Sequence, residues 1–107
     1  MPTATQLPHP ERGEISLHDV LFALSDPERL TIARQLVHGP LDMASCEPTD
    51  PSMPKSTKSH LMKVLRESGV IRNEANGRGR RLSLRADDLD ARFPGLLEAI
   101  LSAANAH

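Results

Sequence analysis

The cations of this 107-residue chain are concentrated in one segment. Nine of its 13 Lys and Arg residues lie between Pro54 and Arg85, together with only two of its 14 Asp and Glu residues. Because the formal net charge of the whole chain is −1, the remainder is acidic. A basic surface on an otherwise acidic chain is typical of a nucleic-acid contact. The alternative is a solvated surface on which charges happen to cluster.

Two parts of this segment carry side chains suited to duplex DNA. Residues 54–69 predict an amphipathic helix ending at Gly69, with Arg66 also on its polar side. An α-helix fits the major groove, where base edges present distinct donors and acceptors. The candidate contacts on this helix are Lys55, Ser56, Thr57, Ser59, His60 and Lys63. For His60, packing at the edge of the helix is an equal alternative.

A predicted β-hairpin follows the helix. Residues 70–74 and 80–84 have strand character, and the Gly- and Asn-rich residues 76–79 form the turn between them. Three arginines at its tip could reach neighbouring phosphates or the minor groove: Arg78, Arg80 and Arg81. Glycines in the turn let the backbone bend tightly there.

Other elements must hold these two parts in place. Leu17, Val20, Leu21 and Leu24 share one helical stripe. Asp26 and Pro27 predict the start of a second helix, which runs to about residue 38. Residues 41–44 predict a short third helix, and a proline-rich loop follows it at residues 47–54.

The two ends of the chain differ in character. Residues 1–14 are rich in proline and poor in apolar residues, which predicts a flexible arm before a single domain at residues 15–105. Asp87 and Asp88 could cap a short helical turn before a last helix. Apolar side chains follow helical spacing there: Phe93, Leu96, Leu97, Ile100, Leu101 and Ala104.

Composition disfavours several functional classes. The chain has two Phe and no Trp or Tyr, so it lacks the aromatic platforms that stack single-stranded bases. It has neither a signal peptide pattern nor an apolar run of the ~18 residues that a membrane span needs, so we expect a cytoplasmic protein with no membrane partner. Its single cysteine, Cys46, excludes an internal disulfide framework and a four-cysteine zinc site. Because no catalytic motif is visible, we expect neither an enzyme nor a bound cofactor.

Two stretches resemble the ArsR-type (ArsR/SmtB) winged helix-turn-helix repressors. Residues 23–30, Ala-Leu-Ser-Asp-Pro-Glu-Arg-Leu, are similar to the junction of the first two helices in that family. Residues 56–71 are similar to its recognition helix and first wing strand. The resemblance covers roughly residues 15–104. It implies a mainly α fold with a small β-hairpin, in the order helix-helix-helix-helix-hairpin-helix.

The resemblance also implies a homodimer that binds an imperfect palindromic operator as a repressor. The first and last helices form the dimer interface in this family. The expected interface residues here are Leu17, Val20, Leu21, Phe93, Leu96, Leu97, Ile100 and Leu101. Packing of both apolar stripes on their own core is the alternative.

The chain departs from the metal sensors of the family. Their third helix carries a Cys-x-Cys pair, whereas residues 43–47 here contain only Cys46. The sequence around Asp88 also lacks the histidines of their last helix. Because soft-metal sites need several Cys or His ligands, we expect no metal site, and the sequence names no inducer.

Two alternative functions stay open at this point. Cys46 could make the protein a redox-responsive repressor, although a buried or incidental thiol is the favoured explanation of a single cysteine. The basic surface could instead bind an acidic protein partner, which would make the chain a winged-helix interaction module.

Overall fold

A computed structural model describes residues 6–46 and 50–105. Five α-helices lie within these residues: α1 (Leu17–Leu24), α2 (Pro27–Gln35), α3 (Lys55–Glu67), α4 (Ala86–Arg92) and α5 (Leu96–Asn105). The three strands are β1 (Leu41–Asp42), β2 (Ile71–Asn76) and β3 (Gly79–Leu84). They form an antiparallel sheet in the order β1-β3-β2. This is the predicted mainly α fold with a hairpin between α3 and the last helices.

The junction between α1 and α2 follows its sequence signal. The Asp26 carboxylate accepts hydrogen bonds from the backbone N–H groups of Glu28 and Arg29 at 3.0 and 3.1 Å, and Pro27 occupies the first helical turn. Both features satisfy the geometry of a helix start, where the first N–H groups have no partner within the helix. The predicted start of α2 is therefore confirmed, although α2 ends at Gln35, before residue 38.

The predicted third helix is wrong in its first residues. Leu41 and Asp42 pair with Leu82 and Arg81 as an added strand, and only Met43–Ser45 form a helical turn, of the 3-10 type. The backbone of β3 offers hydrogen-bond partners that local spacing cannot reveal, and they outweigh a weak helical pattern. Of the predicted proline-rich loop, residues 47–49 lie outside the described residues.

One apolar core joins the helices to the sheet. Helix α3 packs against α1, α2 and β2. The fully buried side chains include Ile15, Ile32, Leu36, Leu65, Ile71 and Leu82. For α2 the helical spacing predicts a buried stripe of Leu30, Ala33, Leu36 and Val37. Ala33 and Leu36 are buried, whereas Val37 is 48% exposed. The early end of α2 removes Val37 from the helical register that predicted its burial.

We expect Gly69→Ala to destabilise the fold. Gly69 follows α3 at a φ of +87°, and an added Cβ would lie 2.6 Å from Cγ1 of Ile15. The left-handed backbone and the clash together should lower the free energy of unfolding by about 2–4 kcal/mol. Urea denaturation measures this change.

Gly77→Ala is the matched control. Gly77 also has a positive φ, of +61°, but no atom lies within 4 Å of its added Cβ. Its free energy of unfolding should fall by only about 1 kcal/mol, because only the left-handed backbone is strained. Equal losses for the two variants would show that contact with Ile15 does not matter.

Candidate nucleic-acid interface

Helix α3 presents a polar side to solvent. Leu61, Met62 and Leu65 are buried on its other side, which fixes its rotation about its own axis. All six predicted contact residues on this helix are exposed: Lys55, Ser56, Thr57, Ser59, His60 and Lys63. Within the described residues, none of these six side chains makes a hydrogen bond or an ion pair. Their donors are therefore available to an external ligand.

Two cations of α3 are not on this free surface. Lys58 is half-buried, and its Nζ donates to the backbone oxygen of Met43 at 3.3 Å. Arg66 is only 7% exposed and donates to the backbone oxygen of Pro8. The expectation that Arg66 shares the exposed polar side is wrong, because residues far away in the sequence cover it.

The three hairpin arginines differ in their freedom. Arg78 in the turn and Arg81 on β3 are exposed. Arg80 folds back on β2, where its Nε donates to Oδ1 of Asn73 and its Nη2 to the backbone oxygen of Asn73, both at 2.8 Å. The structure thus leaves two hairpin arginines extended and uses the third within the sheet.

A charged cluster closes the base of the hairpin. The Asp88 carboxylate, on α4, contacts Arg12 at 2.8 Å, Arg85 at 2.9 Å and Arg72 at 3.1 Å. Hydrogen bonding from Arg12 lowers the pKa of Asp88, and Arg85 adds to this effect although burial opposes it. The sequence pattern predicts only a capping role for Asp88, but α4 begins at Ala86 and Asp88 lies within its first turn.

Residues 6–12 lie along the hairpin and form what we call the N-terminal strap. Pro8 and Pro10 accept hydrogen bonds from Arg66 and Arg85, and His9 accepts one from the backbone N–H of Asn73. These contacts differ from the predicted flexible arm, because the bonding partners come from elements at least 58 residues away in the sequence. Residues 1–5 of that arm lie outside the described residues, and the domain boundary at residue 15 stays a prediction.

The predicted dimer residues divide into buried and accessible groups. Val20, Leu97 and Leu101 are at most 9% exposed and belong to the core of the single chain. Leu17 and Leu21 are 44% and 45% exposed. Phe93, Leu96 and Ile100 are partly buried. Phe22, which the apolar spacing missed, is 58% exposed and faces away from the core.

Cys46 is fully buried. Burial raises the pKa of its thiol, although Lys58 acts in the opposite direction. The thiolate is the reactive form of cysteine, so both the burial and the raised pKa disfavour reaction with an oxidant. Among the described residues, no group of three or more His, Cys, Asp and Glu is placed to hold a metal ion. The absence of a metal site stays a prediction.

The helices, the polar side of α3 and the basic hairpin define a winged helix-turn-helix protein. No family model matches the chain. The HTH-type transcriptional regulator YceK of Bacillus subtilis (strain 168) is 34% identical over 82 residues, which are 76% of this chain and 82% of that protein. In the described part of the chain, no helix is long and apolar enough to cross a membrane.

Solved structures agree with this similarity. An ArsR family transcriptional regulator is 25% identical with a TM-score of 0.61, over 84% of this chain and 87% of its own. The transcriptional repressor BigR from Xylella fastidiosa is 27% identical with a TM-score of 0.56, over 72% and 85%. A homodimeric winged helix-turn-helix DNA-binding domain from Mycobacterium bovis, 22% identical, shares the fold with a TM-score of 0.62 over 80% and 78%. The chain belongs to the ArsR family of winged helix-turn-helix transcriptional regulators, a family that is not enzymatic.

We expect Asp88→Asn to lower stability in a pH-dependent way. The variant leaves three arginines without their shared carboxylate, which should cost about 1–2 kcal/mol at neutral pH because Arg12 and Arg72 are half exposed. Since the folded-state pKa of Asp88 is lowered, its contribution is complete above the ordinary carboxyl pKa. It is lost as the pH falls through the folded-state value. Urea unfolding of both proteins across the acidic range measures this.

Asp87→Asn provides the control, because Asp87 lies beside Asp88 and has no ion pair within the described residues. It should unfold like the wild type at neutral pH. A constant difference between wild type and Asp88→Asn at every pH would contradict the role of the carboxylate charge.

Proposed function

We propose that this protein is a homodimeric repressor that binds a specific duplex DNA sequence. The observation that carries the proposal is the polar side of α3, whose six candidate side chains have no partner within the described residues. These donors lie on one rigid helix beside a basic hairpin, an arrangement that suits the major groove and its flanking phosphates. An imperfect palindrome would suit a two-fold symmetric dimer.

In this proposal, residues on the polar side of α3 contact the base edges. Ser56, Thr57, Ser59 and His60 can donate to acceptors on base edges, and Lys63 carries a cation to the same side. Lys55, in the first turn, is placed for a phosphate at the edge of the groove. These contacts to base edges would supply specificity, since phosphate contacts carry little sequence information.

Phosphate binding falls to Arg78 and Arg81. Both guanidinium groups are exposed on the hairpin, and each can donate two hydrogen bonds to phosphate oxygens. Arg80 has a different proposed role, because its guanidinium is held by Asn73. It shapes the hairpin and adds positive potential without reaching out to the DNA.

A dimer would cover the exposed apolar surface of α1. Leu17, Leu21 and Phe22 are each at least 44% exposed. Exposed large apolar side chains grouped on one element commonly mark an interface. The related Mycobacterium bovis domain is homodimeric, which supports the same assembly here. Phe93, Leu96 and Ile100 would complete the surface from the α5 end.

The proposed function predicts a strong preference for one DNA sequence. Fluorescence anisotropy would compare the upstream intergenic duplex of the gene with a scrambled duplex at two salt concentrations. We expect a preference of ~10³ or more for the native duplex.

Lys63→Ala should weaken binding to the native duplex by about 10-fold or more and reduce this preference. Arg78→Ala should weaken binding to both duplexes by the same factor. It should also lower the slope of log affinity against log salt concentration by about one.

Arg34→Ala is the charge-matched control, since Arg34 lies on α2 and bonds Asn105. It should leave both affinities nearly unchanged. Equal binding of both duplexes by the wild type would refute sequence specificity at the tested site. No binding to either duplex at low salt, with capture of an acidic protein, would favour an interaction module.

The proposed dimer predicts that Leu21→Glu produces monomers. A charge in the centre of an apolar interface would be desolvated without a partner, so the dimer should dissociate at least about 10-fold more readily. Analytical ultracentrifugation measures this. Val37→Glu alters an equally exposed aliphatic residue outside the proposed interface and should leave assembly unchanged. A Leu21→Glu protein that stays dimeric would exclude α1 from the interface.

A further inference from the structure

The N-terminal strap closes an open edge of the sheet. In the order β1-β3-β2, the outer side of β2 has no neighbouring strand among the described residues. Unpaired N–H groups along such an edge need another partner. Nε2 of His9 accepts the hydrogen bond from the backbone N–H of Asn73 at 3.0 Å. A side chain thus takes the place that a further strand would occupy.

The sequence of the strap suits this position. Pro8 and Pro10 have no N–H group, so they leave no donor unpaired where they cross the hairpin, and their rings favour an extended backbone. Their carbonyl oxygens accept from Arg66, and from Arg85 at 2.7 Å. Three successive residues therefore contact α3, β2 and the residue that precedes α4.

The strap is joined directly to the proposed DNA interface. Asn73, which donates to His9, also holds the guanidinium of Arg80. Arg66, which donates to Pro8, lies one helical turn from Lys63. A groove of about 270 Å³ between α3 and the hairpin is lined in part by Leu7, Ser59 and Lys63. Movement of the strap would change both sides of this groove.

We propose that the N-terminal strap sets the position of the hairpin relative to α3 for DNA binding, with His9 as the positioning residue. This inference rests on the proposed function and adds a control point outside the contact residues. His9 acts through Asn73 and does not touch DNA itself.

The surroundings of His9 favour the neutral form of its imidazole. Burial lowers the pKa of His9 most, a hydrogen bond with the backbone of Leu7 opposes this, and Arg66, Arg85 and Arg72 lower it further. Glu74 and Arg80 line the same groove, and the Arg12–Asp88 pair lies at the other end of the strap. The bond from Asn73 requires a free lone pair on Nε2. Protonation would remove that acceptor and add a cation beside the arginines.

Two substitutions separate the hydrogen bond from the charge. His9→Gln keeps a neutral acceptor that does not titrate, and His9→Leu has no acceptor. At pH ~7.5, His9→Leu should bind the native duplex about 2- to 10-fold more weakly than wild type, because one net hydrogen bond is lost. His9→Gln should bind with the affinity of the wild type. At an acidic pH below the lowered folded-state pKa of His9, binding by the wild type should weaken relative to His9→Gln by a similar factor.

Hydrogen exchange at the Asn73 amide provides a readout that needs no DNA. Exchange should be faster in His9→Leu than in wild type, and in wild type it should accelerate on acidification relative to His9→Gln. His60 is present in every variant, so its effect on DNA binding cancels in the comparison. His38→Gln, at an exposed histidine after α2, should keep the pH profile of the wild type.

The outcomes distinguish the strap from the proposed function. Equal DNA affinities for wild type, His9→Leu and His9→Gln at both pH values would overturn the strap inference alone. Faster exchange at Asn73 without a change in affinity would also overturn it, because the strap would then be structural only. A wild type that binds no DNA at the higher pH would overturn the proposed function, and the inference with it.

Discussion

The burial of one side of α3 is the constraint on which the rest of the structure depends. Leu61, Met62 and Leu65 fill the space between α1, α2 and β2. Fully burying side chains of this size contributes roughly 1.5–3 kcal/mol each, so any other rotation of the helix would be costly. The polar side must then face solvent along most of its length. The proposed DNA contacts are rigid because their helix cannot turn.

The basic segment serves two different purposes. Four of its arginines hold the hairpin, the strap and α4 together by bonding carbonyl and carboxylate groups: Arg66, Arg72, Arg80 and Arg85. Lys55, Lys63, Arg78 and Arg81 stay exposed without such partners within the described residues. A guanidinium group has several donors in a fixed plane, so arginine suits the structural positions well. The charge of the segment therefore overstates the number of cations available for DNA.

Local sequence spacing predicts some of these exposed and buried positions but not others. The polar spacing of residues 55–63 predicted their exposure, because helical periodicity alone separates the two sides of a helix. The same periodicity failed for Arg66, which a segment from the other end of the chain covers. Apolar spacing also predicted that Val20 and Leu97 lie in the dimer interface, but both are buried in the core of the single chain. An apolar stripe does not reveal whether its partner is the same chain or a second one. The strand at Leu41 depended on its pairing with the distant Leu82.

The sequence by itself determined the helices, the hairpin, the basic segment and the resemblance to the ArsR family. These follow from local spacing, helix capping and turn chemistry, which act between residues close together in the chain. Only the tertiary structure decided which arginines are free, that Cys46 is buried, and that His9 caps the edge of β2. Those outcomes depend on contacts between distant segments, and no local pattern encodes which distant partner will fill a given position.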